Sequence, residues 1–284
     1  MDATQLSTYI MCPERYRLKF EEKLVRTEAD TTDAPLKFGQ AMHAGLQAHY
    51  QGKDMTTVQA AFMAVYPVAL DPTDLARTPE FGCRVLTEYV PWAVQHEQGW
   101  KMLAVEEVES FQPNSFAQPW QVKKDLVVET PSGIWVVDHK TTIKKLTDFY
   151  WRQFEPNMAL TGYVSHTIAK YGQCSGVIIN AISLGYRSRA YRGEPAGFHW
   201  QPERQIFSRT KEQVADWEQN VSHWMSRLEV NKQVSHWGKN EGACTFCTYR
   251  PLCMACGDIQ VQDSLYTTVE NPLAYLEPEV NARG

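Results

Sequence analysis

Two apolar runs rich in β-branched residues, Leu126-Val-Val128 and Ile134-Trp-Val-Val137, flank Thr130-Pro-Ser-Gly133. Pro at the second turn position and Gly at the fourth suit a type I turn, so a hairpin is expected from Asp125 to Lys140. Strand signals begin earlier, at Leu103, and a short apolar strand is expected over Gly176 to Ile182. Elsewhere the spacing is helical. Residues 1–26 alternate apolar and basic positions, with a break at Pro13. Leu36 to Gln51 carries the next helix, and residues 54–100 are mostly helical with turns near Pro67, Pro72 and Pro79. Trp151 to Ala169 and Thr210 to Lys232 follow, and the last thirty residues are weakly patterned. Helices, then a sheet, then helices around a final strand describe an α/β or α+β core.

The hairpin carries candidate chemistry. If Thr130 faces Gly133, Asp125 lies opposite Asp138, with Cβ atoms ~5 Å apart. A bulge at Gly133 would slip that pairing by one residue. Lys140, two positions beyond Asp138, shares its face. Two like charges so close are unfavourable unless a cation lies between them. Two carboxylates and an amine at the end of an apolar strand suit a divalent ion that activates water, with the lysine steering the nucleophile. A solvated strand end with scattered charges competes with that interpretation.

Composition narrows the class. The chain has 284 residues, 43% of them hydrophobic, with 9 Trp, 13 Tyr and 11 Phe, enough for a sizeable core. No run approaches the ~18 apolar residues of a membrane span. Met1 to Thr8 is polar and unlike a secretory signal, so a soluble, cytoplasmic protein with no membrane partner is expected. Net charge is −5, of which −4 belongs to the stretch from Asp258 onward. The nearly neutral remainder has room for a local basic groove. No phosphate-binding loop of a helicase motor, G-x-S-x-G or H-E-x-x-H occurs.

Seven cysteines in a cytosolic chain do not suggest disulfides. Cys244, Cys247, Cys253 and Cys256 crowd together as a metal site would. One option is zinc held by these four, although the gap between the two pairs is far shorter than the ~15–20 residues of a zinc ribbon. Cys83 and Cys174 are expected to be ordinary buried thiols.

Several motifs, in order, resemble the RecB-like nucleases of the PD-(D/E)xK superfamily. Leu6 to Tyr16, with Cys12-Pro13, is similar to the opening of those proteins. Gly39-Gln-Ala-Met-His43 resembles their first motif, and Val105-Glu106 the strand glutamate before the hairpin. Asp125 and Asp138-His139-Lys140 match the Asp and Asp-x-Lys signature. Cys244-x2-Cys247-x5-Cys253 is similar to the motif of the iron–sulfur branch, which includes CRISPR-associated exonucleases and the nuclease domains of recombination helicases. The resemblance spans residues 6 to 253.

The resemblance implies a restriction-endonuclease-like mixed sheet flanked by helices, with an iron–sulfur clasp joining the two ends. It implies one nuclease domain over 1–257: a cluster-binding segment 1–26, a core 36–232 and a cysteine motif 244–256, followed by an acidic tail 258–284. His43, Asp125, Asp138 and the His139 carbonyl would ligate Mg²⁺ or Mn²⁺. Lys140 would orient the attacking water, with Glu106 (Glu107 and Glu109 competing) and Tyr163 as further catalytic residues. Cys12, Cys244, Cys247 and Cys253 would hold a [4Fe–4S] cluster, with Cys256 left over.

Two departures stand out. Val122 occupies a position often Gly, and Ala159 stands where the family has Gln one turn before Tyr163. The expected activity is metal-dependent exonucleolytic hydrolysis of DNA, chiefly single-stranded ends, as in repair or recombination. The alternative is a weakened or silent DNA-binding adaptor.

Among basic groups, Lys144, Lys145 and Arg152 adjoin the hairpin and are the main phosphate candidates. Arg15, Arg17, Lys19, Lys23 and Arg26 form an early patch. Arg187, Arg189 and Arg192 lie with Tyr186 and Tyr191 in an expected loop. His49, His96, His166 and His223 are expected to be structural.

Overall fold

The computed structural model describes residues 1–27, 34–69, 71, 73–190, 193 and 195–272. It divides into two compact units. Of the described residues, one comprises those within 1–27, 108–122 and 211–272, and the other those within 34–107 and 123–210.

In the first unit, α1 (Ala3–Met11) opens with a capping box: the Asp2 side chain accepts from Thr4 and Gln5 amides, and Gln5 answers the Asp2 amide. Extended backbone at Cys12 ends α1, and Pro13 starts the short α2 (Pro13–Tyr16). The expected helix to residue 26 does not continue. A π-helical turn (Arg17–Glu21) leads into β1 (Leu24–Arg26). That strand pairs antiparallel with β7 (Tyr266–Thr268), so part of the weakly patterned C-terminal stretch is ordered. Tyr249 donates to the Leu24 carbonyl at 2.6 Å, and Leu18, Leu24, Tyr249, Leu252 and Tyr266 form a small core. The early basic patch is largely engaged within this unit. Arg17 pairs with Glu14 and Glu22, and Lys23 reaches the Glu270 carbonyl.

The second unit is built on a sheet of order β2-β3-β4-β5-β6: β2 (Lys101–Phe111), β3 (Trp120–Thr130), β4 (Gly133–Thr142), β5 (Gly176–Arg187) and β6 (Gly197–Phe207). The two outer strands at one edge, β2 and β3, also contribute residues to the first unit. β3 and β4 are antiparallel with Thr130 opposite Gly133 and Leu126 opposite Val137, so the unbulged register is present at the turn. β4 and β5 are parallel, linked through α6 (Asp148–Trp151), a 3₁₀ turn and α7 (Met158–Tyr171). β5 runs five residues beyond the expected strand, and β6 was not anticipated. Its burial does not follow a clean alternation, which is why periodicity missed it.

Helices α3 (Ala34–Tyr50), α4 (Met55–Val65) and α5 (Pro79–His96) share a core with Ile182 and Leu184 of β5. Pro79 is the first residue of α5 rather than a separate turn, and Pro72 lies outside the described residues. Within that core Gly82 faces Phe62, which is fully buried, and a Cβ there would collide with the ring. Gly82→Ala is therefore expected to destabilise the protein by about 1–3 kcal/mol, more than the ~1 kcal/mol of helix propensity it gains. Thermal unfolding measures this, with a Tm drop of several degrees expected. Among the described residues no helix is long and apolar enough to cross a membrane.

Candidate active site

Three side chains from separate elements meet in the second unit. His43 of α3, Glu106 of β2 and Asp125 of β3 offer ligand atoms that all lie within 4.8 Å of one another. His43 Nδ1 is 3.3 Å from Asp125 Oδ1 and 3.7 Å from Glu106 Oε1, and its Nε2 is 3.1 Å from the His139 carbonyl oxygen. Of Glu106, Glu107 and Glu109, Glu106 is the one whose carboxylate reaches this cluster. Its φ of 49° is rare within a strand, while Glu107 pairs with Lys170 at 2.8 Å. Such backbone strain tends to persist where surrounding contacts require it.

The hairpin differs from the expected symmetric pair of ligands. Ladder pairing stops at Leu126 opposite Val137. One step further, the Asp125 carboxylate accepts from the His139 amide at 2.7 Å, replacing a main-chain acceptor. Asp125 thus looks to His43 and Glu106, whereas Asp138 meets Lys140, with Oδ2 2.5 Å from Nζ. That Asp138 oxygen is buried, and Lys140 is its ion-pair partner. Tyr150, buried beside them, interacts electrostatically with Lys140 and Asp138 and is pushed up to about 12 by burial.

Charge states follow from the enclosure. Burial disfavours the imidazolium of His43, but Asp125 and Glu106 outweigh it and hold its pKa well above the ordinary value. Burial likewise opposes ionisation of Asp125, and His43 more than compensates, so its pKa falls. Asp138 moves up because burial exceeds the help from Lys140. Lys140 is held above the usual lysine value despite burial, chiefly by Asp138, and so carries its charge. A half-buried cluster of carboxylates, imidazole and carbonyl is a donor set for a hard divalent cation.

Other expected residues fall as follows. Ala159 and Tyr163 are half-buried one turn apart on α7. Lys144, Lys145 and Arg152 are exposed, as is Phe149 at 84% between them. Arg187 closes β5, while Tyr191 and Arg192 lie outside the described residues. Residues 273–284 of the acidic tail also lie outside them.

In the first unit, Cys12, Cys244, Cys247 and Cys253 line one cavity of about 580 Å³, together with Arg15, Lys239 and Arg250. Cys256 is exposed and does not line it. All the cysteines are free thiols, and among the described residues no three of their sulfurs come within 4.8 Å of one another. Cys83 and Cys174 are half-buried rather than buried.

Periodicity gave no sign of Tyr50, Glu97, Asn180 and Arg204, which surround the His139 ring or join the network behind it. One signal was available: Asn180 is a lone amide in the otherwise apolar run from Gly176 to Ile182.

Residues 2–254 match the sequence profile of the PD-(D/E)XK nuclease superfamily. No curated protein sequence gives a significant match. Among solved structures, a crystal structure of LHK-Exo in complex with dAMP is similar at 15% identity and a TM-score of 0.28, covering 72% of this chain and 98% of that one. A crystal structure of SSO0001 is similar at 10% identity and a TM-score of 0.30, covering 86% of this chain and 94% of that one.

Proposed function

This chain belongs to the PD-(D/E)XK nuclease superfamily, and from that premise we propose that it is a metal-dependent deoxyribonuclease acting on the ends of single-stranded DNA. The observation that carries this reading is the convergence of His43, Glu106 and Asp125 beside the Asp138–Lys140 pair. His43, Asp125, Asp138 and the His139 carbonyl would hold Mg²⁺ or Mn²⁺, with Glu106 completing the acidic wall. When bound, such an ion supplies Lewis acidity and a water of lowered pKa. Lys140, kept cationic by Asp138, holds and orients the attacking oxygen. Tyr163 positions the scissile group from α7. Exposed Lys144, Lys145 and Arg152 take phosphates along the strand.

End-labelled single- and double-stranded DNA, incubated with Mn²⁺ or with EDTA, tests the reading. Mn²⁺-dependent shortening of single strands from an end is expected. Tight DNA binding with no cleavage in either condition would instead establish a silent DNA-binding adaptor. Alanine at position 159 favours attention to that second reading, since it cannot hold water or a phosphate oxygen as an amide does. Ala159→Gln is expected to raise the cleavage rate by roughly 10²–10³ without tightening DNA binding, as measured by single-turnover assay. An unchanged rate would mean that this face of α7 does not serve the site.

We also infer that the four cavity cysteines hold a [4Fe–4S] cluster. A cubane takes one thiolate on each of its four irons, and four cysteines line this one cavity. Arg15, Lys239 and Arg250 would offset the negative charge of a thiolate-ligated cluster. Cys12 in the cavity, and Cys256 outside it, favour this set over the local zinc set.

A further inference from the structure

His139 lies between two residues of the site but turns its ring away from them. On a strand, neighbouring side chains alternate, so its ring occupies the face opposite Asp138 and Lys140. Its main chain remains at the site, with the amide on Asp125 and the carbonyl oxygen 3.1 Å from His43 Nε2. Whatever fixes the ring therefore fixes two groups of the metal site.

The ring is held by a buried polar network. Asn180, paired with His139 across the parallel ladder and fully buried, brings Nδ2 to 2.8 Å from His139 Nδ1 and donates to the Tyr89 hydroxyl at 2.7 Å. Arg204 Nε donates to Asn180 Oδ1 at 2.9 Å, and its Nη2 meets Glu97 and the Tyr89 hydroxyl. The guanidinium lies 4.6 Å from the Trp92 ring centroid and 4.9 Å from that of Trp100. Tyr50 stacks on the His139 ring, 5.5 Å between centroids and 18° between planes, and donates to Glu97.

The donors and acceptors allow one arrangement. A guanidinium has only donors, so the Asn180 carbonyl must face Arg204 and its NH₂ must face His139. His139 Nδ1 must then accept, leaving the ring proton on Nε2, which is buried without a hydrogen-bond partner. We propose that Asn180 and Arg204 are positioning residues that lock the orientation and tautomer of the His139 ring, and so hold the His139 amide and carbonyl in place for the divalent cation. This inference rests on the metal-site reading above.

Two measurements on the full-length protein test it. In the metal-free state, long-range ¹⁵N–¹H spectra are expected to show His139 as the Nε2–H tautomer. Asn180→Asp, which presents only acceptors, is expected to invert it. In the second, Mn²⁺ affinity is measured by electron paramagnetic resonance for Asn180→Ala, His139→Ala and the double variant. Each single change is expected to weaken Mn²⁺ binding by roughly 10–100-fold, and the double variant to lose no more than the weaker single one, because both break one connection. Should Asn180→Ala not fold, Arg204→Lys carries the same cycle, since it keeps the charge beside Glu97 but loses the Nε donor.

An Nδ1–H tautomer in the parent, Mn²⁺ affinity unchanged in Asn180→Ala, or losses that multiply in the double variant would each overturn the proposal while leaving the nuclease reading intact. A parent that binds no Mn²⁺ removes the metal-site reading, and this inference with it.

Discussion

Lys140→Ala is expected to lower phosphodiester cleavage by roughly 10³-fold, about 4 kcal/mol of barrier, while DNA affinity stays within a few-fold. The size follows from its position. Nζ is the cation beside Asp138, and the nearby acids keep it charged. Alanine removes that charge and also leaves the Asp138 carboxylate buried without its ion pair. The separate cations Lys144, Lys145 and Arg152 are exposed and untouched, so phosphate binding persists. Single-turnover rates at saturating Mn²⁺, alongside a binding isotherm in EDTA, separate the two effects. Full activity in Lys140→Ala would remove Lys140 from the chemistry. Loss of binding in parallel with rate would make it a phosphate contact instead.

Cys12→Ala has the other large expected effect. Protein purified without oxygen is expected to be brown and to hold about four irons per chain, and the variant to hold almost none. Cys12 ends α1 and begins α2, while Cys244, Cys247 and Cys253 reach the same cavity from the far end of the sequence. Losing one of four thiolates leaves an iron without its protein ligand. Iron analysis and the visible absorption spectrum provide the readout, with Cys256→Ala as a control expected to retain its iron. Stoichiometric zinc in place of iron in freshly prepared parent protein would refute the cluster.

What the sequence disclosed depended on how local each signal was. The β3–β4 hairpin was legible because turn chemistry at Thr130 and Gly133 and the flanking β-branched runs agree. α3 and α8 (Lys211–Val234) were legible because long helical periodicity averages over exceptions. β6 was not, since its half-exposed residues carry no two-residue alternation. The short β1 and β7 are three residues each, too brief for any period to register.

The candidate site shows the same division. Asp125, Asp138 and Lys140 were legible from the hairpin and His43 from a resemblance, but their partition was not. That Asp125 turns to His43 while Asp138 takes Lys140 depends on where the ladder ends and on the backbone of Glu106, which no letter encodes. Asn180, Arg204, Glu97 and Tyr50 come from elements far apart in sequence, and each is unremarked alone.

The pairing of β1 with β7 bears on how the chain leaves the ribosome. Leu24 has its strand partner at Thr268, and Tyr249 reaches back to the Leu24 carbonyl. At about 5–20 residues per second, the nascent N-terminal segment waits on the order of tens of seconds for those partners to be made. During that wait Leu18 and Leu24 lack the residues that cover them. Most of the sheet-bearing unit, by contrast, is encoded between residues 31 and 210 and has emerged before then. Premature termination between residues 211 and 248 would thus yield a chain with its proposed nuclease residues present and its N-terminal core uncovered, a natural target for chaperones and quality-control proteases.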